Sequence, residues 1–244
     1  MTKGRPFAVF DIDGTLIRWQ LYHAVADALI KLGFVESGAY EDIRAARMSW
    51  KTRQPGKSFR TYEHELIRVY ESMLANLTTD QLDKAVQAVF DEYKDQVYTY
   101  TRQLIKQLKA ENYCLLAISG SQAEIVRLVA KYYGFDDYLA TVYERSGQRF
   151  SGHKTVPSLD KAKALGELIQ NHQLVIEGSL AIGDSLSDAA MLEMVERPVA
   201  FNPDKDLYAV ASRNRWKIVI ERKNMIYELE KHGGKYQLAA PNRG

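Results

Sequence analysis

Short apolar runs decide what this chain can fold into. Residues 7–10, 113–118 and 179–182 are almost wholly apolar, and each stops at a turn of small polar residues. Runs this brief read as strands buried on both faces. Residues 198–201 and 216–220 read as two more. Apolar residues at helical spacing separate them, and strands that alternate with helices are joined by crossovers into a parallel sheet. The expected fold class is α/β, a doubly wound parallel sheet.

Residues 18–96 break the alternation, because no strand pattern occurs there. Leu21, Val25, Ala28, Leu29 and Leu32 form one helical stripe, closed by Gly33. Phe59, Tyr62, Leu66, Val69, Met73 and Leu77 form a second. Leu82, Val86, Val89, Phe90 and Tyr93 form a third, behind a Thr78…Gln81 capping-box pair. Residues 48–57, with Pro55-Gly56, read as a loop. A helical block inserted between the first two strands predicts a cap, 18–96, over the carboxyl ends of a core built from 1–17 and 97–244. The tail, 233–244, has two glycines and a proline and reads as loose.

Three turns carry the chemistry. Asp11-Ile12-Asp13-Gly14-Thr15 ends the first run and sets two carboxylates one residue apart. Side by side they repel unless a cation or a shared proton compensates. The carboxyl ends of a parallel sheet are also where such a fold meets its ligand. A metal-dependent chemical site is the reading. Ser119-Gly120-Ser121 follows the second run, with Ser121 and Glu124 spaced as a capping box for the next helix. A hydroxyl and free N–H groups at a helix start suit an anion such as phosphate. Gly183-Asp184-Ser185-Leu186-Ser187-Asp188 follows the third run and precedes a helical stretch at 189–195. Asp184 falls at the strand end, and Asp188, four residues on, turns back to the same place if a helix begins there. With Asp11 these are the hard oxygen ligands that Mg²⁺ prefers. Lys161, opening a helix at 161–170, is the cation to neutralise a phosphate and the carboxylates around it.

Bulk properties exclude some partners. A formal charge of +2, from 33 basic and 31 acidic residues, gives no drive toward nucleic acid or anionic membranes. No apolar run reaches bilayer-spanning length. The single cysteine, Cys114, lies in an apolar run and permits no intrachain disulfide. With no apolar leader at the start, a cytoplasmic protein is expected. Oligomeric state has no signature in the sequence.

These loops, in this order, resemble the haloacid dehalogenase-like superfamily of phosphohydrolases: an Asp-x-Asp-x-Thr loop, a strand-end Ser or Thr, a lysine and a Gly-Asp-x-x-x-Asp loop. The helical insert is similar to the cap of subfamily IB, which contains phosphoserine phosphatase. Residues 137–141, followed by Gly147, Ser151 and Gly152, look like a flap segment of that group. The resemblance implies a Rossmann-like core and Mg²⁺-dependent hydrolysis of a small phosphorylated metabolite. It makes Asp11 the nucleophile that forms an aspartyl-phosphate and Asp13 the general acid and base. Thr15, Ser119, the Gly120 N–H and Lys161 would hold the phosphate. The Asp11 and Asp184 carboxylates and the Asp13 carbonyl would bind Mg²⁺, with Asp188 orienting a metal-bound water. Lys163 is a less favoured lysine by helix position.

The substrate pocket departs from phosphoserine phosphatase. Where that enzyme has a glutamate after the first motif, this chain has Gln20. Its cap arginine falls near Leu66, with Arg60 and Arg68 as shifted candidates. Glutamine offers no full charge to an ammonium, and leucine cannot pair with a carboxylate. Phosphoserine therefore ranks behind an unspecified phosphomonoester, with phosphotransfer as another outcome. A non-enzymatic binding module conflicts with the full set of motif residues. Arg44, Arg47, Lys51, Arg53, Lys57 and Arg60 form a basic stretch without an acid, read first as a solvated face. Arg18, Gln20 and Arg60 are the candidate substrate contacts.

Overall fold

The computed structural model describes residues 4–239 apart from 37, 53, 55, 57, 58 and 224; the side chains of 39, 40, 42, 46, 59 and 60 also lie outside the described residues. The chain divides into two compact units. One comprises Met1–Gln20, Tyr93–Thr141 and Val156–Gly244; the other comprises Leu21–Glu92 and Val142–Thr155.

The first unit is built on a sheet. Its parallel strands are β1 (Pro6–Phe10), β2 (Cys114–Gln122), the first half of β3 (Asp137–Ser146), β5 (Val175–Gly183), β6 (Arg197–Phe201) and β7 (Lys217–Arg222). β4 (Arg149–Thr155) belongs to the other unit. β1 lies between β2 and β5, so the chain runs outward through β2 and β3 on one side and through β5, β6 and β7 on the other. That reversal beside β1 is the switch point at which an open α/β sheet binds its ligand.

The period of two fills both faces. Phe7, Val9, Leu116, Ile118, Ala181, Ala200 and Ile218 share one core with α7 (Lys161–His172), α8 (Ala189–Leu192) and α9 (Lys205–Asn214). The alternate residues, including Ala8, Phe10, Leu115 and Ile182, are also fully buried. α5 (Thr99–Ala110) and α6 (Ala123–Tyr133) pack on β2. Burial on both faces is what turned these segments into continuous apolar runs.

Two antiparallel strands extend this sheet beyond β7: β8 (Met225–His232) and β9 (Lys235–Leu238). The tail expected to be loose is thus paired as far as Leu238. Gly233 and Gly234, with φ of 55° and 83°, make the turn that only residues tolerant of positive φ allow, and the Tyr236 hydroxyl donates to the carbonyls of Ala211 and Trp216. The helical stretch expected at 189–195 is shorter. A single 3₁₀ turn, Leu186–Asp188, leads into α8, which ends at Leu192.

The second unit holds α1 (Leu21–Lys31), α2 (Gly38–Lys51), α3 (Phe59–Leu74) and α4 (Thr79–Tyr93), together with the antiparallel pair formed by the outer part of β3 and β4. The Thr78…Gln81 box is made in both directions: the Thr78 N–H donates to Gln81 Oε1 at 2.8 Å and the Gln81 N–H to Thr78 Oγ1 at 3.2 Å. The loop expected from residue 48 is corrected, since α2 continues to Lys51. That helix has a weak apolar signal: Ile43 is buried, but Met48 is half exposed. Few of its described side chains are buried, and its sequence offers no clear apolar stripe.

Candidate active site

Asp11 continues β1 beyond its last residue, its N–H donating to the Ile182 carbonyl on β5 at 3.0 Å. The turn then folds tightly. Leu16 and Ile17 both donate to the Ile12 carbonyl at 2.9 Å, and Gly14 donates to Ile17 at 2.9 Å. Gly14 is required twice over. Its φ is +82°, and a Cβ there would sit 2.2 Å from Asp184 Oδ2. The glycine therefore admits the second loop's carboxylate to the first loop.

Asp184 follows β5 directly, and Gly183 opens room for Asp188: a Cβ at Gly183 would lie 2.4 Å from Asp188 Cγ. A capping box of Ser185 and Asp188 turns the loop back. Asp188 Oδ2 accepts from the N–H groups of Asp184 and Ser185 at 3.1 and 3.0 Å, and from Ser185 Oγ at 3.2 Å. Its other oxygen accepts from the ammonium of Lys161 at 2.5 Å, and the same ammonium donates to Asp11 Oδ1 at 2.7 Å. Oxygens of Asp11, Asp184 and Asp188 lie within 4.8 Å of one another. Thr15, fully buried, reaches only 3.5 Å from Asp184 Oδ1.

Electrostatics follows from this crowding. Burial pushes the Asp11 carboxyl up to about 7 against the pull of Lys161, and Asp188 and Asp13 add to the rise. Burial likewise lifts Asp184 well above the carboxylate range, with Asp11 and Asp188 reinforcing it. Burial by itself would depress Lys161, but Asp11 and Asp188 hold its ammonium above the ordinary lysine range. Lys163 is exposed, so helix phase separates the two lysines. Asp11 and Asp188 share one buried ammonium, and the carboxylates of Asp184 and Asp13 stand close enough for Asp13 to raise Asp184. Such a deficit of positive charge fits a divalent cation bound by oxygen.

The β2 loop completes the arrangement. Ser119 Oγ donates to Asp13 Oδ2 at 2.9 Å and accepts from the Ser121 N–H at 3.0 Å. The Gly120 carbonyl accepts from the Thr141 hydroxyl at 2.7 Å. Sequence reasoning missed Thr141, because β3 carries no apolar run to announce a strand. The Ser121…Glu124 capping box is corrected: β2 runs on to Gln122, which is the N-cap residue of α6 and makes no side-chain cap bond.

Of the candidate substrate residues, Arg18 and Gln20 have described side chains. Arg18 is exposed, its guanidinium 5.2 Å from the centre of the Tyr98 ring. Gln20 is half-buried immediately before α1. The side chain of Arg60, like residues 53 and 57, lies outside the described residues. Leu66 is buried within the helical unit, and Arg68 is exposed and pairs with Glu65 at 2.5 Å.

The family model of haloacid dehalogenase-like hydrolases matches residues 8–193. The chain belongs to that family. It is a hydrolase of the family, and its named relatives include phosphatases. Histidinol-phosphatase of Neisseria meningitidis serogroup C (strain 8013) is 26% identical over 230 residues, covering 87% of this chain and 97% of that protein. Phosphoserine phosphatase SerB1 of Mycobacterium tuberculosis (strain ATCC 25618 / H37Rv) is 28% identical over 134 residues, 53% of this chain but only 44% of the relative. A solved phosphoserine phosphatase, described as a phospho-aspartyl intermediate analogue, superposes with a TM-score of 0.62 at 19% identity, over 91% of this chain and 96% of that one. At that identity the likeness is one of fold. Among the described residues, no helix is long and apolar enough to cross a membrane.

Proposed function

We propose that the protein hydrolyses a small phosphomonoester, with Mg²⁺, through a phosphorylated Asp11. The observation that carries this reading is the buried Lys161 ammonium shared by Asp11 and Asp188 with the Asp184 carboxylate alongside. Asp11, Asp184, Asp188 and the Asp13 carbonyl would hold the cation, whose charge offsets that of the phosphate and of the carboxylates when bound.

The chain's own residues account for the two displacements. A carboxylate oxygen of Asp11 forms the new bond to phosphorus as the bond to the ester oxygen breaks. Asp13, neutral at that moment, gives its proton to the departing alcohol. It then takes a proton from the water that attacks phosphorus, which breaks the bond to Asp11 and releases inorganic phosphate. Lys161 and the Gly120 N–H stabilise charge on the phosphoryl oxygens, where most of the rate arises. Ser119, hydrogen-bonded to Asp13, orients the proton donor while lying beside the phosphate. Residues 1–17 and 97–244 form the catalytic core in this reading, and 18–96 the cap. A cytoplasmic setting is supported by Cys114, free and buried in β2.

Phosphate release from p-nitrophenyl phosphate tests the reading. Wild type should depend on Mg²⁺, and Asp11→Asn should lose on the order of 10⁴-fold or more, as removal of a nucleophile does. Equal release by both proteins would falsify the assignment of Asp11. For the substrate, Gln20 and the buried Leu66 disfavour phosphoserine. Similarity across nearly the whole length of a histidinol-phosphatase favours, as a second reading, the phosphate ester of an amino alcohol.

A further inference from the structure

We propose that Gln122 is a specificity-determining residue whose side-chain amide binds an uncharged polar group on the leaving alcohol of the phosphomonoester. The inference rests on the phosphatase reading above. Gln122 is fully buried, and neither its amide oxygen nor its amide nitrogen has a hydrogen-bond partner among the described residues. A primary amide carries two donors and an acceptor, and leaving them all unmet in a finished fold is costly. Native structures keep few such groups, and those they keep call for a ligand or an ordered water.

The partners that its backbone position offers go unused. Gln122 is the N-cap residue of α6, a position whose side chain commonly accepts from the first turn, yet it makes no such bond. Its register partner across the sheet is Thr141, whose hydroxyl is committed to the Gly120 carbonyl at 2.7 Å. The backbone of Gln122 is therefore placed beside the Ser119–Gly120 loop, with its buried amide unpartnered among the described residues. Gln122 follows Gly120 by two residues, so their Cα atoms are at most about 7 Å apart. A side chain of glutamine length then reaches groups attached to a phosphate held at Gly120.

Charge fixes the class of group recognised. An amide cannot offset a carboxylate or an ammonium. Glu124, in the first turn of the same helix, adds negative charge at the helix start and opposes a second anion there. What fits is a neutral group that both donates and accepts: a hydroxyl, an amide or a neutral imidazole. An ester without such a group leaves the amide unmet, and sites built to hydrogen-bond a substrate reject analogues that lack the partner.

The test compares esters. Wild type is assayed for kcat/KM on phosphomonoesters of alcohols bearing a hydroxyl, an amide or an imidazole, on O-phosphoserine, and on phenyl phosphate, whose leaving group has no further polar atom. Gln122→Met and Gln122→Leu are then assayed on the preferred ester and on phenyl phosphate. The expected result is preference for a neutral polar alcohol. Both variants then lose at least about tenfold on that ester, mainly through KM, and stay within about threefold on phenyl phosphate. Their ligand-free melting temperatures should equal or exceed wild type, because no protein hydrogen bond is broken. An unchanged ratio between the esters, equal loss on both, or lower melting of both variants overturns the inference. So does a wild type that prefers phosphoserine or phenyl phosphate. A wild type inactive on every ester fails the phosphatase reading itself, and this inference with it.

Discussion

Each unit holds a network of polar groups, buried in the sheet unit and partly exposed at Glu71 and Lys154 in the helical unit, and the two networks differ in how their charges add up. In the helical unit, Tyr22 and Tyr143 share a hydrogen bond, and the Tyr143 hydroxyl donates to Glu71 at 3.1 Å. The ammonium of Lys154 also donates to Glu71. One carboxylate meets one ammonium, and burial holds the Tyr22 phenol far above its ordinary range, so it stays neutral. In the sheet unit, Asp11 and Asp188 share the Lys161 ammonium while Asp184 and Asp13 crowd in beside them. A balanced network closes on itself and serves packing. An unbalanced one sacrifices stability and is kept for a ligand that restores neutrality.

The largest expected effect comes from removing the one cation. Lys161→Met leaves Asp11 and Asp188 buried against each other. Unfolding by denaturant in EDTA should show a loss of about 3 kcal/mol, as for other broken buried pairs. Unchanged metal-free stability would mean that the cluster is solvated and that the contrast with the helical unit is false.

Next in size is the response to Mg²⁺. At a hundred times its Kd, a ligand that binds only the folded state adds about 2.7 kcal/mol. Wild type should show that gain as a raised melting temperature. Asp184→Asn should lose it while melting above wild type in EDTA, since one of the crowded carboxylates is gone. A variant that melts lower in EDTA would show that Asp184 is stabilising rather than strained.

The smallest effect sharpens the other side of the comparison. Tyr143→Phe removes a hydroxyl that bonds Tyr22 and Glu71, and should cost about 1 kcal/mol. Because that network is balanced, the Mg²⁺-dependent shift in melting should be the same as in wild type. A changed shift would join the two networks energetically.

Much of the sheet was legible because parallel strands buried on both faces print themselves as apolar runs. Elements with one wet face were not. β4 is exposed along nearly its whole length, and β8 alternates between half-buried and exposed residues, so neither offered a run to find. α2 escaped for the same reason. The loops of the site were legible as residue types at strand ends. The cap of α5 was not: Tyr98, its N-cap, makes no side-chain capping bond, and Glu221 on β7 accepts from the Thr99 and Tyr100 N–H groups at 3.0 and 2.8 Å instead.

By itself, the sequence determined the parallel strands that are apolar runs (β1, β2, β5, β6 and β7), where their polar turns fall and which carboxylates stand at them. Periodicity and turn chemistry are local properties that need only neighbouring residues. Tertiary structure decided which of those groups meet. Lys161 reaches Asp11 across 150 positions of chain, Gly14 gives Asp184 its space, and Thr141 finds Gly120 from a strand with no signature of its own. Contacts of that kind depend on register and crossover, which place distant residues side by side without leaving a mark on either local segment.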